Sequence, residues 1–219
     1  MAEIFKPHEI ERKSMEIITS ELGDRTWPEP ISSVIRRCIH TSADFDYADN
    51  LRFSDGAVEL GVKLMHSGVN IVTDTMMAFS GINKNILESY GGKAHCFIKD
   101  QDVVDEAKRR GCTRATVSME KAMELDGPIV FAIGNAPTAL IRICELVKEG
   151  RLKPELIIGA PVGFVNVVES KEMVMDLGIP FIIPVGRKGG SNIAATICNA
   201  MLYYNESTIH PETNGSPII

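Results

Sequence analysis

The sequence predicts an α/β fold: a three-layer α/β/α arrangement with a mainly parallel central sheet, preceded by two N-terminal helices. Five short runs, at 69–73, 94–98, 129–133, 156–158 and 181–185, are rich in β-branched or aromatic residues and are bounded by Gly, Pro or Asp. Most are apolar at consecutive positions, which is what strands covered by helices on both faces require. Stretches with helical periodicity lie between them, and this alternation favours right-handed βαβ units around a parallel sheet.

In chain order, helices are expected over about 7–22 and 28–40. In the second, Ile31, Val34, Ile35, Cys38 and Ile39 recur at helical spacing and form one apolar face, which leaves His40 opposite, near Arg36 and Ser33. Further helical stretches fall at 54–66, 102–110, 115–125, 136–149, 164–177 and 191–203. After Asn205 the sequence ESTIHPETNGSPII is rich in Ser, Thr, Pro and Gly without period. A single domain over 1–205 with a flexible tail over 206–219 is therefore expected.

Composition narrows the function. A chain of 219 residues can bury a full core, and 44% hydrophobic with 24% charged residues is ordinary for a globular protein. No apolar run approaches the roughly 20 residues that cross a bilayer, and the N-terminus MAEIFKPHEIERKSME lacks an apolar signal core. No membrane association and a cytoplasmic location are expected. Cys38, Cys96, Cys112, Cys144 and Cys198 are scattered, form no C-x-x-C pair and are not grouped with His8, His40, His66, His95 or His210, so they read as reduced thiols and no metal site is expected. A net charge of -6 disfavours nucleic acid. An anionic ligand would have to be met locally, at Arg36-Arg37, Arg114 or Arg187-Lys188.

Ligands of doubly wound sheets bind beyond the carboxyl ends of the strands, where helix N-termini also point. That edge comprises Asp74-Thr75, the segment Gly134 to Thr138, the segment Gly159 to Gly163 and the segment Gly186 to Ser191. In GNAPTAL (134–140), Gly turns the chain and Asn, Pro and Thr suit a helix start; free N–H groups there would suit a carboxylate, although an ordinary cap is the better reading of this motif alone. In GRKGGS (186–191), paired glycines let backbone approach a ligand while Arg187, Lys188 and a helix N-terminus supply positive potential, the pattern of an anion cradle. GAPVGF (159–164) reads as a close-packed turn or as a surface for a flat apolar ligand. There is no Walker loop, no G-x-G-x-x-G opening a helix and no G-x-S-x-G elbow, which disfavours nucleotide-dependent oxidoreductases and serine hydrolases. Taken alone, His40 and His66 are ordinary histidines of a last helical turn, and Asp74-Thr75 an ordinary cap.

Six segments together carry more. RRCIHTSADFDYADNLRFS (36–54), NIVTDTMM (70–77), GCTRATVSMEKA (111–122), VFAIGNAPTAL (130–140), GAPVGFVNVVESK (159–171) and GRKGGSNIAATICNA (186–200) resemble the precorrin-8 methylmutase family, over nearly the whole chain from about residue 10 to 200. The order GNAPTAL, PVGFV-x-x-x-ESK, G-R-x-GGS is specific, whereas each piece alone is not. The resemblance implies an isomerase of cobalamin biosynthesis that moves a methyl group from ring carbon 11 to carbon 12 of precorrin-8X or cobalt-precorrin-8, giving hydrogenobyrinic or cobyrinic acid. It implies a homodimer with the pocket near the subunit interface and no separate cofactor.

The resemblance further implies that His40, in the segment Arg37-Cys38-Ile39-His40, is the acid–base residue, and that Ser14 and Arg37 contact substrate. A carboxylate-rich tetrapyrrole makes the edge residues Asp74, Thr75, Arg114, Asn135, Thr138, Arg187, Gly189, Gly190 and Ser191 candidate substrate contacts as well. The alternative is a noncatalytic corrinoid-binding carrier with the same pocket, which conversion of precorrin-8X would exclude.

Overall fold

A computed structural model describes residues 7–205; the expected tail over 206–219 lies outside the described residues. Six strands form one sheet: β1 (Leu51–Phe53), β2 (Asn70–Thr73), β3 (Lys93–His95), β4 (Ile129–Ile133), β5 (Leu156–Gly159) and β6 (Phe181–Pro184). Their order across the sheet is β1-β6-β5-β4-β2-β3, parallel throughout except for β1, which runs antiparallel to β6.

The consecutive apolar runs follow from coverage on both faces. In β4 every residue is buried: Val130 and Ala132 join one core, while Ile129, Phe131 and Ile133 join the other. The first core is completed by α1 (Pro7–Leu22), α2 (Ile31–Ser42), α4 (Ala57–Met65) and α11 (Ser191–Leu202), and the second by α8 (Arg114–Lys121), α9 (Pro137–Lys148) and α10 (Val167–Met175). The expected layers are thus observed. α11 carries Ala194, Ala195 and Ala200, small residues that let it lie close to the sheet and to α2, α4 and α5 (Met76–Gly81).

Four differences from the sequence reading have physical causes. β1 was not anticipated, because LRF is three residues long, has an exposed Arg52 at its centre and acquires its pairing only from β6. β3 stops at His95 instead of continuing to 98: it is an edge strand paired only with β2, and the Thr73 hydroxyl donates to the His95 carbonyl at 3.2 Å. The short helices α5 and α6 (Lys84–Ser89), six residues each, are too brief for periodicity to reveal; Thr75 and Asn83 cap them by accepting from Ala78 and Ile86 N–H. The stretch expected as one helix over 164–177 begins only at Val167, leaving 160–166 as a loop.

The topology places the site. From β2 the chain moves outward to β3, then returns past β2 to β4 and continues to β5 and β6. The direction of winding therefore reverses between β2 and β4, and the crevice beyond their carboxyl ends is the topological switch point where such sheets bind ligands. The remaining helices, α3 (Tyr47–Asn50) and α7 (Gln101–Arg110), lie before β1 and before α8.

Phe131 has 0% exposure at the centre of the sheet. Phe131→Ala should lower the unfolding free energy by roughly 3–5 kcal/mol through lost burial and a residual cavity, measured as a fall in the urea midpoint at unchanged slope. A loss under about 1 kcal/mol would show that the core collapses around the gap.

Candidate functional site

At the switch point, the turn after β4 is organised by the strand beside it. Asp74, immediately after β2 and 2% exposed, accepts N–H groups from Gly134 (2.8 Å), Asn135 (2.9 Å) and Ala136 (2.6 Å). The carboxylate suited to the GNAPTAL turn is therefore the protein's own, and both Asp74 oxygens are occupied. Burial pushes the Asp74 carboxyl above its ordinary range, against the three N–H groups, which pull it down. Asn135 stands exposed at the tip of the turn.

Two further contacts close this corner. The Thr75 and Ser191 hydroxyls lie 2.7 Å apart, joining the end of β2 to the start of α11. A Cβ on Gly134 would come 2.4 Å from the Ser191 Cα, so only glycine lets the β4–α9 turn meet α11. Asp74, Thr75, Gly134, Asn135 and Ser191 are thereby assembled at one point.

His40 approaches the same edge from α2. The Thr41 hydroxyl is 3.0 Å from that of Thr196, and the Arg37 guanidinium lies 5.5 Å over the Tyr203 ring. α2 therefore runs antiparallel to α11, and its C-terminal end lies towards Ser191. His40 is exposed there and makes no hydrogen bond or ion pair among the described residues. Arg37, one turn earlier, lies towards the far end of α11, about 18 Å long by its 12 residues, and sits 3.6 Å from Glu11 of α1. Ser14, half-buried, shares the α1 face of Glu11 and Ile18, which meets α2. The contact of Thr41 with Thr196 thus puts the His40 end of α2 beside the first half of α11, while Ser14 and Arg37 lie farther back along the α1–α2 contact.

The Gly186 to Ser191 loop is held from two sides. Lys171 of α10, 1% exposed, donates to the Gly186 carbonyl at 2.9 Å and the Lys188 carbonyl at 2.7 Å. The Lys188 ammonium lies 2.5 Å from both Asp44 and Asp46, just past the end of α2, and the Tyr47 hydroxyl donates to the Gly189 carbonyl at 3.5 Å. The sequence reading took Lys188 as part of the positive cradle; its charge is instead matched by two carboxylates, and it ties the loop to the segment four residues beyond His40. Gly190 N–H was also expected to face a ligand, but it donates to Ala160 at 2.8 Å. Gly189, at φ 158°, passes so close to Ala160 that a Cβ would lie 2.3 Å from its carbonyl oxygen.

Two arginines at this edge have no carboxylate partner among the described residues. Arg114 begins α8, and among the described residues its guanidinium donates one hydrogen bond, to the Ile98 carbonyl at 3.4 Å. The Thr113 and Thr138 hydroxyls, 2.8 Å apart, bring the starts of α8 and α9 together, which places Arg114 and Thr138 beside the GNAPTAL turn. Arg187 is exposed, its guanidinium 5.4 Å over the Phe164 ring. Other histidines serve the fold: His66 Nε2 is 3.0 Å from the Leu202 carbonyl, and His95 Nε2 is 2.9 Å from Asn70 Oδ1. Among the described residues, no three His, Cys, Asp or Glu side chains gather to hold a metal ion, and no helix is long and apolar enough to cross a membrane. A concavity along Glu9, Arg12, Lys13 and Glu16 lies on one face of α1, away from this edge.

Sequence reasoning missed Asp44, Asp46, Tyr47 and Lys171. No local signal marked Lys171, which stands among Glu169, Ser170 and Glu172 in VVESKEMVM.

The family model CbiC, precorrin-8X methylmutase, matches residues 9–204. The chain belongs to the precorrin-8X methylmutase family. Methylmutases are isomerases, here of cobalamin biosynthesis, and the chain is accordingly an isomerase enzyme. A cobalt-precorrin-8 methylmutase of Priestia megaterium is 45% identical over 93% of this chain and 91% of its own length. One of Salmonella typhimurium is 41% identical over 92% and 97%, and a precorrin-8X methylmutase of Pseudomonas aeruginosa 38% over 88% and 93%. Among solved structures, a precorrin-8X methyl mutase from Thermus thermophilus superposes with a TM-score of 0.80 at 35% identity, covering 88% of this chain and 95% of that one. The methylmutase fold is therefore this chain's fold.

Burial lowers Lys171 from 10.5 to about 8. Between those values the unfolded chain binds a proton that the folded chain does not, so the penalty for burying the ammonium is relieved as pH rises. From pH 8 to 10 the stability of the wild type relative to Lys171→Met should rise by roughly 2 kcal/mol, read from paired urea titrations. A pH-independent difference would show that the ammonium is solvated in the fold.

Proposed function

We propose that the enzyme converts cobalt-precorrin-8 to cobyrinic acid by moving the methyl group of ring carbon 11 to carbon 12, with His40 as the acid–base residue. The observation that carries this reading is that the His40 end of α2, the switch-point residues Thr75, Asn135 and Ser191, and Arg187, which has no carboxylate partner among the described residues, lie towards one open sheet edge. The cobalt form is favoured because the relatives at 45%, 43% and 41% identity are named for it.

The rearrangement breaks one carbon–carbon bond and forms another, with no water, redox partner or leaving group. The protein has only to hold the ring and bias its electrons. A proton lent by the His40 imidazole makes the conjugated system electron-poor and loosens the bond from carbon 11 to its methyl; the proton returns when the product forms. In the metal-free ring a nitrogen accepts that proton. In the cobalt-bearing ring the nitrogens hold the metal, so a carbon of the conjugated system takes the proton, and the metal's own electron withdrawal leaves His40 a smaller share.

The acetate and propionate arms meet Arg114, Arg187 and the N–H groups at the start of α11, whose own bonding begins only with Ala194 N–H to the Gly190 carbonyl at 3.0 Å. Thr138, Gly189 and Gly190 shape the backbone around the arms, and Asp74 acts through the turn that it holds. The resemblance extends the reading to a cytoplasmic homodimer with substrate near the subunit interface, where Ser14 and Arg37 contribute from the α1–α2 side.

His40→Ala should lower turnover of precorrin-8X by at least about 100-fold and that of cobalt-precorrin-8 by less, measured from the change in absorption spectrum. Equal losses on both rings would show that His40 positions the substrate and lends no proton. Unchanged turnover would remove it from the reaction. Separately, the affinity for cobyrinic acid should fall several-fold as salt is raised to about 0.5 M, and Arg187→Gln should flatten that dependence; a salt-independent dissociation constant would rule out ionic capture of the arms.

A further inference from the structure

The loop between β5 and α10 holds three apolar side chains in solvent. Phe164 is 83% exposed, Val165 75% and Val162 47%. Large apolar groups so displayed mark interaction sites when they are contiguous and fixed in place.

This loop is fixed. Pro161 before it is buried, as is Val167 after it, at 2% exposure. Gly163 takes φ 144° and Asn166 φ 56°, the latter a left-handed conformation that a non-glycine residue adopts at a cost of order 1 kcal/mol. That cost turns the chain so that 164 and 165 point outward while α10 packs inward. The Gly163 N–H donates to the Arg187 carbonyl at 3.2 Å, and the Ala160 carbonyl accepts from Gly190. The loop is thus bonded at two points to the 186–190 segment, and its apolar tip stands over the edge described above.

The neighbouring charge selects the occupant. Arg187 stacks 5.4 Å over the Phe164 ring and has no carboxylate partner among the described residues. An aromatic face beside a free guanidinium matches a ligand that joins a flat apolar ring to carboxylate arms. A second protein surface would have to supply an apolar patch and a carboxylate at the same spacing.

We propose that Phe164, flanked by Val165 and Val162, is the wall on which the flat face of the corrinoid ring rests while an arm engages Arg187. This assignment rests on the methylmutase reading above. It makes Phe164 a positioning residue, touching the ring in ground and transition states alike, so its loss weakens binding more than the methyl shift.

The test is equilibrium binding of cobyrinic acid, followed by its absorption spectrum, to wild type, Phe164→Ala and Phe164→Tyr. Sedimentation and turnover of cobalt-precorrin-8 are measured on the same preparations. Phe164→Ala should bind about tenfold more weakly and raise KM in proportion with kcat little changed; Phe164→Tyr should restore both. Because the side chain is exposed, thermal midpoint and sedimentation should match the wild type. Unchanged affinity in Phe164→Ala overturns the proposal. So does a change in oligomeric state, which would show that a second copy covers the patch. A wild type that turns over cobalt-precorrin-8 while Phe164→Ala binds normally sinks this assignment alone; a wild type that neither binds cobyrinic acid nor turns over substrate sinks the functional reading with it.

Discussion

The geometry of the open sheet edge depends on the buried carboxylate of Asp74. By accepting three successive N–H groups from the turn after β4, it fixes that turn against the end of β2, at the switch point between these two paired strands. Three N–H groups left without an acceptor would each cost on the order of 1–3 kcal/mol if buried. The turn in turn sets the position of Gly134, whose missing side chain is the space that Ser191 and the start of α11 occupy.

From that corner the site is tied together by polar contacts that run through the backbone. The 186–190 loop has no hydrophobic core of its own. Lys171 holds it from beneath through two carbonyls, and Lys188 holds it from the side through Asp44 and Asp46. Because Asp44 and Asp46 follow directly from α2, the same contacts set where the end of α2, and so His40, stands relative to the loop. Two lysines that sequence reasoning would assign to ligand charge or to a helix surface are here structural, which leaves Arg114 and Arg187 as the cations of this edge without a carboxylate partner among the described residues. On the proposed reading, these two cations are where a protein of net charge -6 meets an anionic substrate.

Much of the fold was legible in the sequence. The runs 129–133, 156–158 and 181–185 are apolar at every position, and 69–73 at three of five, because both sheet faces are covered, and that pattern survives without structure. The helices that pack on them kept a clear period. What escaped were β1, α5 and α6, elements too short to have a period, and the early end of β3, decided by an edge strand having one neighbour. The strand ends were legible: GRKGGS, GNAPTAL and Asp74-Thr75 all lie beyond the carboxyl ends of strands, where their order in the sequence puts them. Their roles were not, since Asp74 and the GNAPTAL N–H groups satisfy one another and no local pattern shows a pairing across 60 residues.

The sequence by itself determined the layered α/β class, the family and the strand ends that carry the site, because these are set by hydrophobic period and by motifs written in consecutive residues. Only the tertiary structure decided which charges remain free. Ion pairs such as Lys188 with Asp44 join residues 144 apart, and Coulomb and hydrogen-bond energies depend on distances in space that chain order does not encode.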